Sequence, residues 1–392
     1  MIRECVVKKS ARLSDNTPWI YSNEIVEISS KVNLEKASYL RFDAADGSKS
    51  GIATYNKHSL IAMRVLSWNI AEEINTEWFH QRLLSAMEKR EFFYPGGCYR
   101  WVYGEADGLP GLVIDRYDQL AVVEVNSAGM EKMIDLWKSA CLAIKEIKCW
   151  IIKRDSQSRN LEKLEVIEEP LVWGDITFAK ATHGVENSVK FWIDPIEGQK
   201  TGWFYDQREN RKVIQRMVKP GMHVCDLYTH TGAFGLYAAQ MGATSVLAVD
   251  RSAHALEIAA KNAELNGLTN ISFKQSEVFN FLEKTDEVYD LLVVDPPAFI
   301  KGKKTYDAGI MGYKKLLTLS CQHVKRNGIL CFTSCSYGLT MDDIHEVLKK
   351  AFVKSRRNGY IVARLGLGHD HPILPQCPEM DYLKGVIVQF LD

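Results

Sequence analysis

Paired cysteines are missing from this sequence: nowhere in its 392 residues does C-x-x-C occur. The nine cysteines, an odd number, are scattered along the chain. That usage points to reduced thiols and argues against a disulfide framework or a zinc site, so no metal is expected. An excess of charge of one sign is missing too. The 49 basic and 49 acidic side chains cancel, so no global field attracts a polyanion, and any nucleic-acid surface must be a local patch. No apolar run approaches membrane-spanning length, and the opening M-I-R-E-C-V-V-K-K-S has no secretory apolar core. A cytoplasmic protein with no membrane partner is the expectation. The phosphate-binding pattern G-x-x-x-x-G-K-S/T is absent as well, which removes the P-loop nucleotidases.

What is present is an ordinary globular composition, 46% hydrophobic and 25% charged, without low-complexity tracts. At this length one core rarely suffices, so two or three domains are expected. Residues 1–72 read as small-barrel material: short alternating runs at 38–42 and 59–66 are separated by turn signals at Asp46-Gly47 and Ser50-Gly51. This piece is mildly basic, with ten Lys/Arg against seven Asp/Glu over residues 1–70. Its Pro18-Trp19-Ile20-Tyr21 stretch beside Lys8, Lys9 and Arg12 either stacks on bases or plugs the barrel with a tryptophan. Residues 73–190 predict a central α+β domain. A helix at 77–89 carries Trp78, Leu83, Leu84 and Met87 at helical spacing, a second helix is expected at 130–147, and strands at 121–125, 150–153 and 164–167. The run G-E-A-D-G-L-P-G-L-V-I-D-R at 104–116 holds Asp107 and Asp115. Either can be catalytic, but acidic residues beside glycine usually stabilise turns, and that reading is preferred.

From residue 191 the texture changes. A polar, aromatic and basic loop, G-Q-K-T-G-W-F-Y-D-Q-R-E-N-R-K at 198–212, runs into a helix whose Arg211, Lys212, Arg216 and Lys219 read as a solvated face. Strand and helix then alternate. Strands are predicted at 224–227, 245–249, 271–274, 290–295 and 328–333, with helices at 232–241, 253–265, 310–324 and 341–353. Ser252 and Gly267 supply start and stop chemistry for one helix, and Thr340-x-x-Asp343 fits a capping box. Near-continuous apolar strands with intervening helices imply a parallel sheet covered on both faces. Two closing strands, 360–365 and 384–391, predict an antiparallel pair. The fold class is therefore α/β, with residues 191–392 doubly wound.

In such a sheet ligands sit beyond the carboxyl ends of the strands. The first strand ends at Asp226 and leads into V-C-D-L-Y-T-H-T-G-A, a strand–turn–helix corner where Gly232 permits close approach. Tyr228, Thr229, His230 and Thr231 occupy the turn where a dinucleotide site carries its early glycines. A bulkier, hydroxyl-rich turn suits a ligand without phosphates, such as S-adenosylmethionine. The second strand ends at Asp250-Arg251, 24 residues after Asp226, the distance at which a carboxylate meets ribose hydroxyls. Glu277 follows the third strand and can contact an adenine edge. The fourth ends in Asp295-Pro296-Pro297 and the fifth in Thr333-Ser334-Cys335-Ser336. Cys331 lies inside a strand and reads as packing. Cys335 lies past it, where a thiolate can act as a nucleophile.

Y-T-H-T-G-A-F, D-R-S-A-H-A-L-E-I-A, D-P-P-A-F and T-S-C-S resemble a class I S-adenosylmethionine-dependent methyltransferase. With G-Q-K-T-G-W-F-Y-D-Q-R-E-N-R, G-E-A-D-G-L-P-G-L-V-I-D-R-Y, D-H-P and Y-L-K-G, the chain is similar over nearly its whole length to the bacterial large-subunit (23S) rRNA cytosine-C5 methyltransferases. The resemblance implies three domains: a PUA-like RNA-binding β-barrel (1–72), a central α+β domain (73–190) and a Rossmann-like methyltransferase domain with a seven-stranded, mostly parallel sheet (191–392). It implies S-adenosyl-L-methionine as cofactor and rRNA as partner, and leaves monomer and homodimer open. It makes Cys335 the nucleophile, with Asp295 and Pro296 holding the pyrimidine; the alternatives are methylation of uracil C5 or of an exocyclic amine in RNA, or a non-catalytic RNA-binding role in ribosome assembly. The cofactor would meet Asp226, Tyr228, Thr229, Thr231, Gly232, Asp250, Arg251, Glu277 and Asp295. RNA contacts are expected from Lys200, Arg208, Lys301, Lys303 and Lys304, with Lys314 and Lys315 further along. One position departs from the pattern: Ala298 stands where the family often has lysine after D-P-P.

Overall fold

The computed structural model describes residues 4–180, 183–196, 198 and 201–391. The chain forms two compact units. The first consists of Met1–Thr182, Ile193–Tyr205 and His369–Met380, and the second of His183–Trp192, Asp206–Gly368 and Asp381–Asp392. The boundary expected at residue 190 thus falls inside a strand, Val189–Trp192, which pairs with His183–Glu186 as a hairpin of the second unit.

In the first unit the N-terminal segment builds a six-stranded sheet in the order Trp19–Ile20, Met63–Ser67, Ser50–Tyr55, Leu40–Ala44, Cys5–Val7, Ile25–Ile28. Alternation in Leu40–Ala44 turns Leu40, Phe42 and Ala44 inward, where they meet Val7, Leu13, Ala53 and Met63. A five-stranded sheet follows, ordered Ile167–Gly174, Cys149–Arg154, Leu120–Val125, Leu112–Tyr117, Cys98–Tyr103. The helices Thr76–Phe93 and Ile134–Leu142 pack Leu83, Trp137 and Cys141 into its core with Trp101 and Trp150. Two local expectations fail. The helix expected over 130–147 breaks at Met133, where Ala128–Lys132 ends and Ile134–Leu142 begins. The apolar run 164–167 is mostly not strand: Leu164 closes a turn onto Arg159, and pairing starts at Ile167.

Buried ion pairs organise this unit and account for the acidic residues of the glycine-rich run. Asp107 takes the Arg90 guanidinium through both oxygens, at 2.8 and 2.6 Å, and accepts the Tyr103 N–H. Asp115 lies in a strand rather than a turn, fully buried against Arg100 and Thr201. Neither is available for catalysis. Trp19 donates to Glu105, which also receives Arg64, so this tryptophan is tied into the unit. The glycines have steric work: at Gly111 (φ +79°) a Cβ would sit 2.4 Å from that of Ser127.

The second unit is built on seven strands: β1 His223–Leu227, β2 Ser245–Asp250, β3 Ile271–Gln275, β4 Tyr289–Val294, β5 Val324–Ser334, β6 Gly359–Leu365 and β7 Lys384–Phe390. Their spatial order is β3-β2-β1-β4-β5-β7-β6. The first five run parallel, and β7 inserts antiparallel between β5 and β6. The helices are α1 Arg208–Met217, α2 Ala233–Gln240, α3 Ala253–Leu265, α4 Val278–Lys284, α5 Tyr306–Gln322 and α6 Met341–Ser355. The central strands β1, β4 and β5 are apolar on both faces because helices cover both. Ser252 caps α3, Gly267 ends it at φ +65°, and Thr340 with Asp343 forms the capping box of α6.

One buried cluster departs from the expected solvated face of α1. Arg211 and Arg208 are buried and ion-paired with Glu186, at 2.6 and 3.2 Å, and Tyr237 donates to the same carboxylate. Burial opposes the charge on Glu186, but the two guanidiniums outweigh it and hold its pKa below the usual carboxylate value.

Candidate active site

The carboxyl ends of β1, β2, β3, β4 and β5 bring the expected cofactor residues to one edge of the sheet. The loop after β1 is wound through alternating left-handed residues, Tyr228 (φ +60°), His230 (φ +51°) and Gly232 (φ +88°). Non-glycine residues adopt this conformation only when their surroundings hold them. Asp226 does much of the holding. Its Oδ2 receives the Thr229 hydroxyl and the Gly235 N–H at 2.8 Å, which also caps α2. Asp250 Oδ2 receives the His230 N–H at 2.9 Å, and Oδ1 the Ser252 N–H. Asn262 donates to the Thr231 carbonyl. Gly232 itself lies so close to α3 that a Cβ would be 3.1 Å from that of Ala259.

Asp226 is fully enclosed, so burial first, then the charges of Asp295 and Asp250, push its pKa up to about 7 against the pull of Thr229 and Gly235. An unfolded aspartate ionises near about 3.9. The folded chain therefore holds an extra proton between these values. The stability this confers is complete below the unfolded value and is lost as pH rises through about 7. Asp226→Asn keeps an oxygen for both donors, so its melting temperature is expected to fall less between about pH 5 and pH 8 than that of the parent. Parallel declines in thermal melts would exclude Asp226 as the titrating group.

The fit of S-adenosylmethionine can be judged from the donor set. Asp226, Asp250, Glu277 and Asp295 gather acidic groups around a loop with a glycine cradle, which suits a cationic sulfonium and a ribose but not a pyrophosphate. The Tyr228 hydroxyl is buried without a hydrogen-bond partner among the described residues, and Glu277, Asp250 and Arg251 lie within electrostatic reach of it. Glu277 also caps α4 through the N–H groups of Phe279 and Asn280.

The reactive half is assembled from β4 and β5. Asp295 accepts Thr333 Oγ1 at 2.6 Å and Gln207 Nε2 at 2.9 Å, both on Oδ1. Pro296 is buried and Pro297 exposed. Beyond them the D-P-P-A-F-I loop is locked to T-S-C-S. Tyr313 Oη lies 2.8 Å from Ser334 Oγ and 2.6 Å from Ser336 Oγ while accepting the Phe299 N–H, and Ser336 accepts the Ile300 N–H. Between those two buried serines stands Cys335. Eight of the nine cysteines are buried; Cys335 alone is partly exposed. Burial raises the Cys331 thiol well above its ordinary value, as expected of a packing residue.

The predicted RNA contacts divide. Lys301, Lys303 and Lys304 are exposed on the segment after D-P-P. Arg208 is not an available RNA contact, being enclosed with Glu186. Lys200 lies outside the described residues. Lys315 pairs with Glu283 at 2.7 Å and covers the Phe279 ring. Sequence reasoning missed Gln207, Tyr313 and Glu186. For Gln207 a signal existed: Gln207, Asn210, Ile214 and Val218 recur at helical spacing, so the apolar Ile214 marks their shared face as inward.

This strand order, with its acidic strand ends and wound β1 loop, defines a class I S-adenosylmethionine-dependent methyltransferase fold, here joined to a PUA-like N-terminal domain. Residues 218–382 match a methyltransferase domain and residues 7–68 a PUA-like domain. A protein of Streptococcus mutans described as a SAM-dependent methyltransferase shares the fold with a TM-score of 0.81 at 19% identity, covering 98% of this chain and 99% of that one. A methyltransferase solved in complex with SAH gives 0.83 at 19% identity, over 99% and 100% of the two chains. The ribosomal RNA large subunit methyltransferase I of Shewanella denitrificans is 34% identical over 381 residues, 95% of each chain. That of Pseudoalteromonas translucida is 33% identical over 378 residues, 94% of each. The chain belongs to the ribosomal RNA large subunit methyltransferase I family.

Proposed function

We propose that this protein transfers a methyl group from S-adenosylmethionine to C5 of a cytosine in large-subunit rRNA, with Cys335 as a transient covalent nucleophile. The observation that carries the reading is the solitary partly exposed thiol, held between two buried serines on a loop pinned to the D-P-P segment. The printed names of the relatives supply the rRNA substrate class. No helix among the described residues is long and apolar enough to cross a membrane, and action on rRNA would make the protein cytoplasmic.

Carbon 5 of a neutral cytosine is a poor nucleophile. Addition of the Cys335 thiolate to C6 makes C5 enamine-like, with Asp295 and the Pro296 backbone holding the ring edge and favouring a proton at N3. S-adenosylmethionine supplies the electrophilic methyl on its sulfonium. C5 takes that methyl, then loses its proton to a base, and expulsion of the thiolate from C6 restores the aromatic ring. The target cytosine must leave its stack to reach Cys335, at a cost of a few kcal/mol that is smaller in a loop or partly unfolded RNA. Digesting the methylated RNA to nucleosides tests the reading by mass: 5-methylcytidine is expected, and 5-methyluridine or an N-methylated base would replace it with another chemistry.

Lys301, Lys303 and Lys304 would track flanking phosphates. Replacing all three with glutamine is expected to weaken RNA binding and flatten its salt dependence by about 0.7 per lost contact on a log–log plot. An unchanged slope would remove this segment from the RNA path.

A further inference from the structure

A chain of amides runs from the backbone of the second unit to the D-P-P aspartate. The Gly366 N–H, which can only donate, meets Asn210 Oδ1 at 3.1 Å. That fixes the Asn210 amide with its nitrogen toward Gln207, and Nδ2 donates to Gln207 Oε1 at 2.6 Å. Gln207 is fixed in turn. Its Nε2 faces Asp295 Oδ1 at 2.9 Å and Thr333 Oγ1 at 3.3 Å. Neither amide can flip without setting oxygen against oxygen or hydrogen against hydrogen. Both side chains are buried, so each wrong pairing would go uncompensated by water.

We infer that Gln207 is a positioning residue for methyl transfer: the relay Gly366–Asn210–Gln207 delivers an N–H to Asp295 Oδ1, sets the carboxyl plane and keeps that oxygen an acceptor. This rests on the reading of Asp295 as the group that holds the pyrimidine edge. With Gln207 and Thr333 both donating to Oδ1, a proton on that oxygen is disfavoured. Gln207 itself touches no reacting atom in this scheme. Its effect passes through Asp295, directly and by way of Thr333.

Among the described residues, the charged and titratable groups within electrostatic reach of Asp295 include Asp226 and the Cys331 thiol. Both are present in parent and variants, and Gln207→Leu, which adds no charge, reports their titration when assayed over the same pH range. Gln207→Leu removes the donor and is expected to lower kcat by about 10- to 100-fold, the scale of one buried hydrogen bond to a charged group, with SAH affinity and the KM for RNA within about threefold. Gln207→Glu is the sharper variant because it is isosteric. At about pH 8 it sets a second carboxylate against Asp295; near pH 6 the two carboxyls share a proton, and the introduced side chain can donate where the amide did. Its activity relative to the parent is therefore expected to recover at least about fivefold as pH falls between these values. A pH-independent loss, or full kcat in Gln207→Leu, overturns the inference. Asp295→Asn, assayed alongside, separates the two levels: if it is fully active the role of Asp295 fails, whereas if it is inactive and Gln207→Glu shows no pH recovery, only the relay fails.

Discussion

Cys335→Ala is expected to lower methyl transfer by on the order of 10⁴-fold or more, while SAH binds within about twofold of the parent. The size follows from chemistry. Without the C6 adduct, C5 keeps its place in a conjugated ring and has no enamine character to offer the sulfonium, so no neighbouring group can substitute for the thiol. The selectivity follows from structure. The loop's shape is set by Ser334 and Ser336 through Tyr313 and the Ile300 N–H, so removing the sulfur atom should leave the loop standing. Calorimetry with SAH and a thermal melt provide the two controls. Wild-type activity in this variant would eliminate the covalent route, and lost SAH binding would mean that the loop, rather than the thiol, had been damaged.

Glu186→Ala is expected to destabilise the second unit by about 3–5 kcal/mol, seen as a lower urea midpoint for its transition. Glu186 neutralises two guanidiniums that are themselves enclosed, and it accepts the Tyr237 hydroxyl. Removing it takes a buried carboxylate away from two buried guanidiniums, which costs far more than losing an exposed pair would. The triple change Glu186→Leu, Arg208→Met, Arg211→Met should recover much of the loss, since no uncompensated charge remains. Acid supplies a second check. A carboxylate with a depressed folded pKa stabilises above its unfolded value, about 4.3, and loses that contribution as pH falls through the folded one. The gap between parent and variant should therefore narrow on acidification. A constant gap would show that Glu186 matters by packing rather than by charge.

The sheet and the residues at its edge are legible in the sequence because their signals are local. L-L-V-V before D-P-P, Ser252 before a helix and Thr340-x-x-Asp343 each declare themselves within a few residues. Gln207, Tyr313 and Glu186 act through partners 88, 21 to 23 and 22 to 51 residues away. No spacing rule reaches those partners, although the helical spacing of Gln207 with Ile214 marks its side as inward. Arg208 and Arg211 mislead for a related reason: charge reads as solvent exposure, although Ile214 on the same helix marks that side as inward. Asp107 and Asp115 read as turn stabilisers; both are held in buried ion pairs, but Asp115 lies in a strand, and their partners, Arg90 and Arg100, lie outside the turn.

The two units are threaded through one another along the chain. The first is finished only by Ile193–Tyr205 and His369–Met380, and the second begins with His183–Trp192 and closes with Asp381–Asp392. On the ribosome, then, the N-terminal unit waits for a segment made after residue 368, and the catalytic sheet waits for β7, which inserts as its next-to-last strand. Neither half can be completed early, and no single proteolytic cut releases either one whole.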